Sequence, residues 1–439
     1  MGALSPWQSV ESFGLSNASP LVPKGCSIVQ VHLVHRHGAR YPTSDALPAV
    51  FAAKLHAAAT GKGFSASGPF EFLNTWTYKL GAETLTPFGR SQLFNLGMGF
   101  RMKYGELLKG FSNLPVFRTT SEARMQDSAL HFAAGFFGVQ TYQMEYHQLI
   151  TIEGEGFNNT LAPYFHCPNS NNPIGSVQAS KWEEVYLQSA WKRLAPFIRG
   201  YHLTLKDLVA MQQLCAYETV ALSSSLFCAL FTEQEWKGYE YRDDIMLWYG
   251  NGPGSPSASA QGIGYVQEVL SRLKKIRITE FRNTVNSTVV TNNVTFPLDQ
   301  PIYVDATHDT ALTTIFTAFN FTSLAAGGPL QTDQIPRNQT YFANRVVPFA
   351  SNLVGQVLSC PAFDKPEQIR WILNDAVLPL TGIRGCEKND DGLCGLSTFI
   401  AAMEQRIGEV DFDFDCFANY TIPDPDEITD GQFPRRLRN

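Results

Sequence analysis

The sequence contains no apolar run of 18 or more residues, so no segment reads as a helix able to span a bilayer. It also lacks any block of like charge of the kind that forms a nucleic-acid-binding tail. Neither a membrane nor a nucleic acid is an expected partner. Charged residues are scarce, at 17% against 44% hydrophobic, and the formal net charge is only -6. That balance excludes general disorder, because enough apolar surface is present to form cores. No internal repeat is visible, and none of the eight cysteines forms a C-x-x-C pair, so a zinc site is not expected. Finally, the amino terminus, MGALSPWQSV, has neither the basic start nor the apolar core of a signal peptide.

Other features nonetheless point to export. The cysteines, Cys26, Cys167, Cys215, Cys228, Cys360, Cys386, Cys394 and Cys416, are even in number, and four disulfides are the expected arrangement. Seven N-x-S/T triplets begin at Asn17, Asn158, Asn286, Asn293, Asn320, Asn338 and Asn419, and such sites carry glycans only on a secretory route. The chain is therefore expected to be a secreted, extracellular glycoprotein and a monomer, in processed form with an added Met1.

With 439 residues the chain exceeds one small core, and an α/β domain with an inserted lobe is the expected organisation. The run SIVQVHLVH reads as a buried strand. Helix formers follow over 46–61, and LTPFGRSQLFNLGMGFRMKYG offers Thr86 as N-cap with Pro87 in the first turn. LPVFRTT reads as a strand, SEARMQDSALHFAAGFFG as a helix and YQMEYHQLITI as another strand. From residue 159 strand signals fade, and helices are expected at about 180–199, 204–216, 231–248 and 261–275. In the first of these, Trp182, Val185, Tyr186 and Leu194 share roughly one face and read as core. NGPGSPSASAQG is the most loop-like stretch. Strand signals return in STVVTNNVTF, PIYVDA and IRWILNDAVLPL, and the end, DPDEITDGQFPRRLRN, reads as a loose tail. The expected fold class is a doubly wound α/β sheet with helices on both faces plus an inserted all-α lobe. Its divisions are 1–158 and 265–439 for the sheet domain and 159–264 for the lobe.

The stretch VHLVHRHGARYPT places three histidines (His32, His35, His37) and two arginines (Arg36, Arg40) within nine residues. Crowded positive charge weakens a fold unless an anion sits among it. A phosphate is the expected guest. Arg124 and the pair His308-Asp309 also follow predicted strands, and beyond the strand carboxyl ends of an open α/β sheet such groups converge. Arginines grip phosphate oxygens in pairs and keep their charge. His37, held neutral by Arg36 and Arg40, can attack phosphorus, and Asp309 is the candidate proton donor. Alone, His308-Asp309 reads as a helix N-cap, and Arg124, near Glu122 and Asp127, as a helix-surface ion pair. The R-H-G-x-R-x-P pattern is more specific, since its five fixed positions recur by chance on the order of once in ten thousand chains of this length.

In RHGARYPT, LGAETLTPFG, SEARMQDSALHFAAGF, ALFTEQEW and THDTAL the chain resembles the histidine acid phosphatase family, and within it the secreted fungal phytases. The resemblance spans nearly the whole chain. It implies that His37 forms a phosphohistidine, that Asp309 protonates the leaving group, and that Arg36, Arg40, Arg124 and His308 bind phosphate. It implies no metal and no cofactor, and phytate as the substrate. It further implies the pairings Cys26 with Cys360, Cys167 with Cys416, Cys215 with Cys228 and Cys386 with Cys394, where the residues alone leave 105 connectivities. One departure bears on substrate: Asn74 stands where several fungal phytases carry a lysine that meets outlying phosphates, and Lys79 lies nearby. A broad-specificity acid phosphatase is thus the alternative. A phosphoglycerate-mutase-like transferase shares the R-H-G core, but Arg40, Pro42 and His308-Asp309 argue against it. A non-catalytic glycoprotein on the same scaffold would lack one of His37, Arg36, Arg40 or Asp309.

Overall fold

The Val- and Ile-rich run after Gly25 forms a strand over Ser27–Arg36, buried at every position from Val31 onward. Alternation divides its side chains between two cores. Val31 and Leu33 pack with Phe100, Phe117 and Phe132 on one face, while Val34 packs with Ile315, Val357 and Trp371 on the other. A strand buried on both faces must be central. The computed structural model, which describes residues 1–438, places it so; Asn439 lies outside the described residues.

The strands lie in the order Cys394–Gly395, Glu367–Leu373, Asn352–Ser359, Ser27–Arg36, Ile302–Thr307, Val116–Thr120, His147–Thr151, with Ala376–Val377 paired beside Glu367–Leu373. Ser27–Arg36 is the seam of this mixed sheet. It runs parallel to Ile302–Thr307 and antiparallel to Asn352–Ser359. Helices Pro87–Tyr104 and Ala123–Phe137 cover one face, and Ala258–Lys274, Asp309–Ala318 and Leu396–Glu409 the other. The expected α/β sheet with helices on both faces is thus present, extended by an antiparallel half. On the second face Gly262 lets two helices meet closely, since a Cβ there would lie 2.2 Å from the Thr314 carbonyl oxygen.

A separate core joins Phe51 and Leu55 of the Leu47–Thr60 helix to Leu208, Met211 and Leu214 of the Leu205–Leu222 helix and to Leu194. Ile174, Ala179 and Trp182 instead belong to the main core, and the Glu233–Asn251 helix passes from Tyr239 in one to Trp248 in the other. We propose on this packing that the lobe is composite. It takes in 47–74 as well as part of 159–264, and Ala258–Lys274 belongs to the sheet domain.

Several expectations are corrected. STVVTNNVTF is no strand: Asn286 caps a short helix over Ser287–Val290 and the Asn292 side chain holds the next turn. Tyr142–Glu145 is a helical turn, so the strand there begins at His147. The helix bearing Trp182 ends at Tyr186, a new one starts at Gln188, and Val185 is exposed. The loop-like stretch is buried over 252–261 and already helical from Ala258. What covers it is the supposed loose tail. Gly431 N–H donates to the Pro253 carbonyl, Ser259 N–H donates to the Gly431 carbonyl, Phe433 is buried, and Arg438 pairs with Asp415 at 2.9 Å.

The disulfides join Cys26 to Cys360, Cys167 to Cys416, Cys215 to Cys228 and Cys386 to Cys394, leaving no free cysteine among the described residues. The first follows from strand register: Ser27 faces Ser359, so the residues just outside them are opposed.

Candidate active site

Register also builds the candidate site. Arg36 is the cross-strand partner of Thr307, so His37 and His308 leave the sheet side by side, with ring centroids 5.7 Å apart. His37 N–H donates to the Thr307 carbonyl at 3.2 Å. The R-H-G-A-R loop then passes tightly under the start of the Pro87–Tyr104 helix. A Cβ on Gly38 would lie 2.2 Å from the Gly89 carbonyl oxygen, and one on Gly89 would lie 1.9 Å from that of Ala39. Only glycine fits either position. Thr86, the expected N-cap, accepts from Gly89 N–H at 3.0 Å.

His37 is buried, and its Nδ1 lies 2.9 Å from the Gly38 carbonyl oxygen. That contact requires the proton on Nδ1, which leaves the Nε2 lone pair free. Burial, then the charges of Arg36, Arg40, His308 and Arg124, hold this imidazole well below the ordinary histidine range. The ring is held neutral.

Arg36 is fully buried at the end of its strand. Nη1 donates to the Ala3 and Val347 carbonyls, the guanidinium lies 4.5 Å over the Phe349 ring, and Nη2 is 2.7 Å from Asp309 Oδ2. Asp309 opens the Asp309–Ala318 helix, and its Oδ1 accepts from Thr310 N–H. Burial works to raise its pKa, but Arg36, Arg40, His308 and that N–H prevail and hold it below the usual carboxylate value. Arg40 Nη1 donates to the Tyr41 carbonyl and lies 3.5 Å from the Tyr217 hydroxyl. Arg124, in the first turn of Ala123–Phe137, is tied to the loop through Ser128: its Oγ donates to the Arg124 carbonyl and accepts from Gly38 N–H.

All six residues singled out from the sequence therefore meet at one sheet edge. Three carboxylates that sequence reasoning did not assign to it meet them there. Glu83 Oε2 lies 3.0 Å from Arg124 Nη1, Glu122 pairs with Arg124 Nη2, and Glu153 Oε2 lies 3.0 Å from His308 Nε2. Tyr164 donates its hydroxyl to the other oxygen of Glu153. Glu153 was findable, since it follows the strand His147–Thr151 just as the other groups follow theirs. No sequence signal marks Tyr217 or Tyr164. Glu122, Glu153 and His308 bring potential metal-ligand atoms within 4.8 Å of one another, but Glu153 is committed to His308 and Glu122 to Arg124. Asn74, by contrast, is structural: its amide bonds Ala66 N–H, the Ala66 carbonyl and the Glu71 carbonyl.

An unprotonated imidazole nitrogen, a ring of guanidinium groups and a carboxyl at a helix start, all beyond the carboxyl edge of a mixed α/β sheet, define a phosphate-processing enzyme. Comparison with known proteins specifies which. Residues 27–374 match the histidine phosphatase superfamily (branch 2), and the chain belongs to that family. It is 34% identical to phytase A of Aspergillus fumigatus over 417 residues, covering 92% of this chain and 87% of that protein. Phytase A of Aspergillus oryzae is 32% identical over 418 residues, with the same coverages. Among solved structures, the phytase from D. castellii superposes with a TM-score of 0.76 at 24% identity, over 95% of this chain and 87% of that one. The multiple inositol polyphosphate phosphatase of Bifidobacterium longum, solved with inositol hexasulfate, gives 0.62 at 12% identity, over 90% and 96%. Both likenesses show the shared fold.

Proposed function

We propose that this chain is a secreted acid phosphomonoesterase that hydrolyses inositol hexakisphosphate (phytate) through a phosphohistidine. The observation that carries the reading is the combination of a neutral His37, with Nε2 free, and Asp309 ion-paired to the adjacent Arg36. His37 Nε2 attacks phosphorus as the ester P–O bond breaks, and Asp309 delivers its proton to the departing alkoxide. Water then attacks the phosphohistidine, giving up a proton to the Asp309 carboxylate, and inorganic phosphate leaves. Arg36, Arg40, Arg124 and His308 hold the phosphoryl oxygens throughout.

Asp309 meets its substrate ionised and paired with Arg36. A bound phosphate dianion offsets the guanidinium charge, and the aspartate pKa rises to where a proton can be held. The substrate thus prepares its own acid. The Aspergillus relatives are phytases, which supports the choice of ester. Four disulfides and the glycosylation triplets support export.

Phosphate release from phytate in the acid range, lost in His37→Ala and insensitive to chelator, is the test. Absence of release from phytate together with turnover of simple esters would favour a broad-specificity acid phosphatase. That second reading draws on Asn74, whose amide serves a backbone turn, and on the acidic rim at Arg124.

A further inference from the structure

Arg124 stands apart from the other arginines of the site in being held by two carboxylates at once, Glu83 from the turn before the Pro87–Tyr104 helix and Glu122 from the residue just before its own helix. Glu122 also comes within 4.8 Å of the His308 and Glu153 ligand atoms. Its carboxylate therefore lies between two of the groups assigned to phosphate. Unlike Glu153, whose side chain is 1% exposed, Glu122 is 35% exposed. Its backbone carbonyl opens the helix it precedes, but its side chain makes no capping hydrogen bond and turns instead to Arg124.

We propose that Glu122 is a specificity-determining residue: its carboxylate, paired with Arg124 and close to His308, sets a charge penalty on ligands that bring a second anionic group beside the one bound at His37. This rests on the proposed action on a polyphosphorylated inositol and identifies what limits it. A single phosphate meets this carboxylate once, in displacing it from Arg124. A ligand with neighbouring anions must also seat one of them against Glu122, where like charges a few ångströms apart repel.

The groups facing Glu122 are Arg124 on its own helix, Glu83 from the turn before the Pro87–Tyr104 helix, Glu153 beyond the last parallel strand and His308 at the Asp309–Ala318 helix. Burial, then Glu153 and finally Glu83 raise its pKa against the opposing pull of Arg124 and His308. The net shift is upward. Glu122 consequently stays protonated to higher pH than an ordinary glutamate, and the penalty is weakest in acid and grows toward neutrality.

The test is titration calorimetry on the full chain with two probes, inositol hexasulfate, whose charge is constant with pH, and inorganic phosphate as a single anion. Glu122→Gln should tighten the hexasulfate roughly three- to tenfold relative to phosphate at neutral pH, with a smaller gain at about pH 4. Glu122→Asp, which keeps the charge, should retain the wild-type ratio. If Glu122 merely holds Arg124 in place, both probes shift by the same factor in Glu122→Gln, and the inference is overturned; unchanged binding of both overturns it equally. Neither probe is turned over, so failure to hydrolyse phytate would refute the proposed activity without touching this result.

Discussion

Arg36 Nη2 and Asp309 Oδ2 lie 2.7 Å apart, so the proposed proton donor is ion-paired to a residue proposed to bind phosphate. The acid and the anion site are one electrostatic unit. Replacing Asp309 by Asn leaves nucleophile and arginines in place and removes the proton. The loss should follow the leaving group: roughly a hundredfold or more in kcat on phytate, whose alkoxide needs protonation, and far less on nitrophenyl phosphate. The basic limb of the wild-type kcat profile should vanish in the variant. Equal losses on both esters would assign Asp309 to binding alone.

His37→Ala should reduce turnover of every ester to background, whatever the alcohol. Wild-type enzyme mixed with labelled ester and quenched in alkali, where phosphohistidine survives, should carry label on the peptide containing His37. Label found elsewhere would refute covalent catalysis at His37.

Thermal stability should peak in the acid range. Burial raises Asp244 to about 8 and Asp415 to about 7. For each, the folded state keeps a proton that the unfolded chain has released above the ordinary aspartate value of 3.8, so stability falls as pH climbs from there through the folded pKa. Glu153 works in the other sense. Burial acts upward, but hydrogen bonding and charge from His308 prevail and bring it to about 2, so its contribution is lost as pH falls from 4.5 toward that value. Asp244→Asn should flatten the decline toward neutrality. A melting temperature that rises steadily to pH 8 in the wild type would contradict this assignment, given Asp244 at about 8.

The cross-links should differ in worth. Cys167–Cys416 closes a separation of 249 residues and Cys386–Cys394 one of 8. Replacing the first pair by serine should cost about 2–5 kcal/mol in denaturant unfolding, and the second pair less. The reverse order would show that native-state strain rather than chain entropy governs them.

Glycans are expected on exposed Asn17, Asn293, Asn338 and Asn419. The amides of Asn158, Asn286 and Asn320 donate to the carbonyls of Val285, Asn158 and Gly382, and a sugar there would break those bonds. Glycopeptide mapping of secreted protein checks the division; occupancy at Asn320 would count most strongly against it.

The residues legible in sequence were those whose meaning is local. R-H-G-A-R carries its chemistry and its close-approach glycine together, and His308-Asp309 is both an N-cap with a first-turn acid and part of the site. For Arg124 the structure shows the ion pair: it pairs with Glu122, the residue just before its helix, while Asp127 turns to Arg90. Glu83 and Tyr217 were invisible because chain segments distant in sequence bring them to Arg124 and Arg40. The burial of 252–261 was equally hidden. Small polar residues read as solvent loop until the carboxyl-terminal strap supplies partners for their backbone.

The Ala3 carbonyl accepts from Arg36, and Phe349 N–H donates to the Ser5 carbonyl, so the Gly2–Leu4 turn and Ser5 are part of the scaffold of the proposed phosphate site. Proteolytic removal of the stretch that carries Ala3 and Ser5 would therefore impair the site. Arg36 would lose one of its backbone acceptors and Phe349, on which it stacks, would lose an anchor. Loss of that stretch should raise KM for every ester while the disulfide-bonded fold persists.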